Sequence, residues 1–134
     1  MKRGADDMSF KPIVKYPDGN PKTEFGSKKV QLHLIPPSAI IYTALGFEDG
    51  QKYGPFNWRH DKVAVSVYIS ALERHLMSYI DGEDIDPKSG KPHLAHMLAN
   101  LAILVDATET GNLIDDRPPP GNAADILERY RRDK

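Results

Sequence analysis

Cysteine is absent from the 134 residues. That excludes a disulfide scaffold, a thiolate zinc site and a cysteine nucleophile. No apolar run approaches the roughly 18 residues of a membrane span. The opening stretch, MKRGADDMSF, lacks the apolar region of a signal peptide. Neither sign of charge is in excess: 18 basic residues stand against 19 acidic ones, for a net charge of −1. A general nucleic-acid binder would carry a basic surplus. The phosphate-cradling GxxxxGK[ST] loop, the GxSxG elbow, the HExxH zinc motif and EF-hand spacing are all missing. These absences predict a soluble, cytoplasmic protein with no membrane association and no direct nucleic-acid partner.

What is present reads as a small helical domain. The length fits one domain. Hydrophobic residues make up only 40% of the chain, a content that suits a subunit completing its core by association. Residues 1–35 read as an extended N-terminal arm: YPDGNPKTEFGSKK is rich in turn formers, and KVQLHLI (29–35) alternates as a short strand would. Residues 36–112 carry the helical body. Ser38, after two prolines, is a candidate cap for a helix reaching Asp49, and Gly54 and Pro55 break the chain after it. A second helix spans about 62–81. Val65, Tyr68, Ile69, Leu72, Leu76, Tyr79 and Ile80 form one apolar face, with His75 at its margin. The β-branched Val63, Val65, Val67 and Ile69 leave a strand open for its first part. GEDIDPKSGKP (82–92) is a loop, and Pro92 suits the first turn of a third helix that buries Leu94, Met97, Leu98, Leu101 and Val105 and stops at Gly111. Residues 113–134 hold a proline-rich linker and a final helix or tail.

Three constellations carry chemistry. The acidic loop offers Glu83, Asp86 and their neighbour Asp84, flanked by His75, His93 and His96. Carboxylates suit Mg²⁺, and imidazoles suit Mn²⁺ or Zn²⁺ better; the same acids can equally be solvated or paired with Lys88 and Lys91. His93, His96 and Asn100 share one helical stripe, so they are hydrogen-bonded or face a cavity. In QKYGPFNWRH (51–60), Lys52 and Arg59 can meet phosphates, Tyr53, Phe56 and Trp58 offer flat apolar surface, and Asn57 can read a base edge; alternatively, the aromatics cap the core around a Gly-Pro turn. The dipeptide His60-Asp61 invites comparison with HD-type phosphohydrolases.

FGSKK, LIPPSAI, GQKYGPFNW, ALERHL and GEDIDPKSGKPHLAHMLANLAIL, over residues 26–105, resemble the dATP/dGTP diphosphohydrolase (MazZ-like) family of phages and bacteria, which is similar to the all-α MazG-type nucleotide pyrophosphohydrolases. The resemblance implies an all-α, MazG-like helical bundle with an extended N-terminal arm, assembled as a homodimer or homotetramer. It implies conversion of a purine deoxynucleoside triphosphate to the monophosphate and pyrophosphate with Mg²⁺ or Mn²⁺, in the host cytoplasm if the chain is phage-encoded. The metal ligands expected on this basis are Glu83 and Asp86, with Glu73 or Glu48. His75 or His96 is expected to orient the attacking water or donate a proton. Lys28, Lys52 and Arg74 clamp phosphates, and Tyr53, Asn57, Trp58, His93 and Asn100 complete the substrate contacts. The chain departs from the wider MazG pattern: Glu83-x-x-Asp86 lies in the loop, and His93-x-x-His96 stands where Glu-x-x-Asp is usual. An HD-type triphosphohydrolase and a non-catalytic nucleotide-binding protein are the alternative readings.

Overall fold

The computed structural model describes residues 18–133. The described residues fall into two units that divide between Ile40 and Ile41.

In the first unit, helix α1 (Pro21–Gly26) is started by Asn20, whose side chain accepts the Lys22 N–H at 2.9 Å, with Pro21 occupying the first helical position. The expected strand at 29–35 is instead a single 3-10 turn, Leu32–Leu34. The Gln31 amide donates to the carbonyls of Ser27 and Lys29 and curls the chain back on itself. A strand needs a ladder partner, and the local side-chain bonds supply the backbone with an alternative. Of the expected arm, residues 18–35 hold α1 and this turn, and the first 17 residues lie outside the described ones. Helix α2 (Pro37–Asp49) starts at Pro37, so Ser38 sits inside its first turn and does not cap it.

From residue 41 onward the fold is helical. After α2 come a 3-10 turn (Gly50–Tyr53) and the short α3 (Asn57–His60). Gly54 (φ 97°) and Phe56 (φ 57°) both take left-handed backbone to make the bend between them. Strand β1 is only Val63–Ala64. It leads directly into α4 (Val65–Ile80), so the β-branched run is strand for two residues and helix thereafter. A loop then returns the chain into α5 (His93–Thr110), immediately after Pro92; Gly111 (φ 70°) ends it. Strand β2 (Leu113–Ile114) pairs in parallel with β1, with Val63 opposite Leu113 and Ala64 opposite Ile114. Helices α4 and α5 therefore form an antiparallel hairpin closed at its open end by this clasp. Asp116, just past β2, accepts from the Ser66 N–H at 2.8 Å and from the Ser66 hydroxyl. It thereby caps α4 from across the fold, where Ala64 cannot. Helix α6 (Ala123–Arg129) follows. The fold is all-α, and among the described residues no helix is long and apolar enough to cross a membrane.

The core is made of small residues: Val63, Val65, Ala95, Ala99 and Ala107 are buried, together with His93. A Cβ added to Gly46 of α2 would lie 2.4 Å from the Ala95 carbonyl oxygen and 2.6 Å from the Ala99 Cβ. Helices α2 and α5 thus approach too closely for larger side chains. This overturns the expected orientation of α5 in part: Met97 and Leu98 are half-buried, but the rest of the expected face is not. Leu94, Leu101 and Val105 are exposed, and the alanine stripe with the histidines faces inward. On α4 the upper part of the expected face is buried or half-buried (Val65, Tyr68, Ile69, Leu72), while Leu76, Tyr79 and Ile80 are exposed.

Candidate active site

The α4–α5 loop is built to hold its polar groups still. Gly82 (φ 95°) ends α4, and the Glu83 N–H returns to the Ser78 carbonyl at 3.0 Å. Asp86 N–H donates to the Lys91 carbonyl, Gly90 N–H to the Asp86 carbonyl and His93 N–H to the Asp84 carbonyl. Ile85 and Pro92 form an isolated antiparallel bridge. The loop is therefore a tight turn, and it delivers two carboxylates to the histidines of the neighbouring helices.

Around it the three histidines form one cluster. His75 Nδ1 lies 2.8 Å from His93 Nδ1, and His93 Nε2 lies 2.7 Å from Glu83 Oε1. The rings of His75 and His96 stack at 4.5 Å and 9°. His96 Nε2 is 2.7 Å from Ser89 Oγ and 3.5 Å from Asp86 Oδ2. Asp86 also accepts from the Ser89 hydroxyl at 3.1 Å and from the Lys88 N–H at 3.1 Å. Burial, followed by the neighbouring charges of His96 and His93, pushes the His75 pKa below its ordinary value, against an upward pull from Asp86. Burial pushes the Asp86 carboxyl up, but the hydrogen bonds from Lys88 and Ser89, with His96 and His75 nearby, hold it below the usual carboxylate value.

These groups open into a cavity of about 410 Å³, within the range of small-ligand sites. Lys52, Arg74 and Lys88 supply positive charge to its wall, and Asp49 and Asp86 supply carboxylates. Gln51, Asn57 and Asn100 offer amides, and Phe47, Tyr53, Phe56, Trp58 and Tyr68 offer aromatic surface. Trp58 meets Phe47 and Phe56 edge-on, each at 5.8 Å, with the Arg59 guanidinium over its ring. Arg59 is in turn held bidentately by Asp106 at 2.6 and 2.8 Å. The Asn112 amide donates to the Trp58 carbonyl at 2.9 Å. Lys52 lies 3.3 Å from Asp49, and that hydrogen bond and charge raise its pKa. Burial, then Tyr53, raises that of Tyr68.

Of the residues singled out from sequence, Lys52, Tyr53, Asn57, Trp58, Arg74, His75, Asp86, His96 and Asn100 line this one cavity. Glu83 and His93 stand behind it: neither lines the cavity, and His93 is buried. Glu73 is exposed on α4 and does not line this cavity, while Glu48 is 3.8 Å from Lys91. Glu73, Glu83 and Asp86 are therefore not brought together, and among the described residues no three ligating side chains gather into a metal-holding group. Lys28 belongs to the first unit, where Glu24 lies 4.0 Å from its Nζ. His60 lies outside the cavity lining, and Asp61 serves as backbone acceptor for Asn112. The sequence reading missed Asp49, Tyr68, Lys88 and Ser89. Ser89 has a visible signal in Asp86-x-x-Ser89, the spacing of a turn closed by side chains. Tyr68 has none, since its position on the apolar face of α4 looks like core.

A family model described as dATP/dGTP diphosphohydrolase, N-terminal, matches residues 19–117. No curated protein and no solved structure matches the chain.

Proposed function

The chain belongs to the dATP/dGTP diphosphohydrolase, N-terminal, family, and from that premise and the lining of the cavity we propose that it hydrolyses a purine deoxynucleoside triphosphate to the monophosphate and pyrophosphate. The carrying observation is that three cationic side chains, three amides, an aromatic wall and a histidine–aspartate cluster all line a single cavity. Lys52, Arg74 and Lys88 meet the triphosphate oxygens. The aromatic wall takes the base, and Asn57 and Asn100 read its edge. Water adds to the α-phosphorus, the bond to the bridging oxygen of pyrophosphate breaks, and His75 accepts the proton that the water sheds. Charge stabilisation by the cationic groups at the departing pyrophosphate lowers the barrier.

Asp49 and Asp86 are the two carboxylates of the cavity. That donor set fits Mg²⁺ or Mn²⁺ arriving with the triphosphate, since such an ion takes one or two protein carboxylates beside phosphate and water oxygens. When bound there, the ion would neutralise phosphate charge and acidify water. The exposed leucine and valine stripe of α5 supports assembly into a homo-oligomer.

The test is to incubate the protein with each deoxynucleoside triphosphate and Mg²⁺ or Mn²⁺ and to resolve the products. Monophosphate plus pyrophosphate from the purine substrates is the expected result, with loss on chelation and recovery on adding either ion. Asp86→Asn is expected to lower kcat by about 100-fold. Tripolyphosphate as the inorganic product would indicate an HD-type triphosphohydrolase, and binding without turnover would leave only a nucleotide-binding protein.

A further inference from the structure

Behind the cavity runs a line of three groups in hydrogen-bond contact: Glu83 Oε1, both ring nitrogens of His93, and Nδ1 of His75. We propose that Glu83 and His93 are positioning residues that fix the tautomer of His75, placing its proton on Nδ1 and leaving Nε2 as the basic nitrogen of the cavity.

A carboxylate only accepts, so the 2.7 Å contact with Glu83 requires a proton on His93 Nε2. A neutral imidazole carries one N–H, so His93 Nδ1 is then an acceptor. The 2.8 Å contact between the two Nδ1 atoms needs one proton, and it must come from His75. His75 Nε2 is left with a free lone pair. Of the two imidazoles, His75 lines the cavity and His93 does not. The basic nitrogen is therefore the one on the solvent-reachable ring. His96 is held in the opposite tautomer: the Ser89 hydroxyl already donates to Asp86, so His96 Nε2 donates to Ser89 and its bare nitrogen is Nδ1.

The arrangement has the logic of an acid–base–orienter series, in which a carboxylate holds an imidazole in the productive tautomer. Here a second imidazole is interposed. It carries the orienting effect from a half-exposed glutamate on the loop to a histidine on α4. When His75 Nε2 takes a proton from water, its Nδ1–H remains pointed at His93, which Glu83 polarises to receive that hydrogen bond. No proton leaves the pair, and the proton on Nε2 is available to the leaving pyrophosphate.

The role in turnover rests on the hydrolytic reading above, but the tautomer is measurable without substrate. Long-range ¹⁵N–¹H imidazole spectra of the free protein at pH 8 are expected to show His75 protonated on Nδ1 and bare on Nε2. In Glu83→Ala and in His93→Phe, His75 is expected to revert to the Nε2–H form ordinary in water. In both variants kcat should fall about 10- to 100-fold while KM stays within about 2-fold. A structural role alone would instead move the unfolding midpoint and leave the tautomer unchanged. Glu83 is half-exposed, so its variant keeps the test alive should loss of the buried His93 prevent folding. A wild-type His75 protonated on Nε2 would overturn the proposal, as would a reverted tautomer with unchanged kcat. A protein that hydrolyses no nucleotide yet carries the Nδ1–H form would sink the hydrolytic reading and uphold the tautomer assignment.

Discussion

His75 is the residue on which most of the site's electrostatics converge. It stacks on one histidine, bonds to another and feels Asp86, and the balance, led by burial, favours its neutral form. The sign of the resulting pH effect follows from linkage. The folded-state pKa lies below the ordinary value of 6.5, so on acidification the unfolded chain takes up this proton first. Where the unfolded state binds more protons, stability rises with pH. The contribution of His75 is therefore fully present above about 6.5 and is lost as pH falls through the folded value. Denaturant midpoints followed from pH 7.5 to pH 5 are expected to drop more steeply in the wild type than in His75→Asn; parallel curves would show that His75 is not the group responsible. The cluster is partly legible in the sequence. His93, His96 and Asn100 recur at helical spacing, and polar groups on an otherwise apolar helix must find partners. The partners themselves are not legible, because Glu83 reaches His93 and Ser89 reaches His96 only through the tight turn of the loop.

At the scale of elements, close approach between α2 and α5 determines which side of α5 faces in. Gly46 sits against Ala95 and Ala99, and a methyl group there has backbone on one side and a buried side chain on the other. Gly46→Ala is expected to cost about 1–3 kcal/mol, since the neighbours are not flexible side-chain ends, and to weaken nucleotide turnover by shifting α2 and its Asp49. Chemical denaturation measures the first; unchanged stability would mean that α2 moves freely on α5. The existence and bounds of α4 and α5 were readable from periodicity and from Gly111. The orientation of α5 was not. Apolar weight favours the Leu94–Leu101–Val105 stripe, whereas steric fit favours alanine, and the polar residues on the alanine side are paid for by bonds from elsewhere in the fold. The strand at 29–35 failed for a related reason: alternation describes a face, and Gln31 offered the backbone local partners instead.

For the molecule as a whole, the notable property is how little large apolar surface the chain buries. Among the described residues Val63 is the largest side chain that is fully buried, while Val67, Leu76, Met77 and Ile80 on α4 and Leu101 and Val105 on α5 stay exposed. Leaving such groups in water forgoes roughly 1.5–3 kcal/mol for each large side chain that could be covered. Sedimentation is therefore expected to show a multiple of the 15.0 kDa chain mass, and Leu101→Glu with Val105→Glu to reduce it toward the single chain. A wild type that sediments as one chain at micromolar concentration would remove association from the account. None of the cavity-lining residues belongs to this exposed stripe, so the double variant separates assembly from substrate binding.

The clasp at the open end of the helical hairpin has a consequence in time. A chain emerges from synthesis N-terminal end first. Asn112, which holds the Trp58 carbonyl, and Asp116, which caps α4, are both made after the groups they secure. The parallel partner of Val63 is residue 113. A nascent chain that has released the aromatic wall, α4 and all three histidines of the cluster still lacks the segment that ties them at that end. The closing of the frame around the cavity therefore waits on five residues, 112–116, that supply none of its lining.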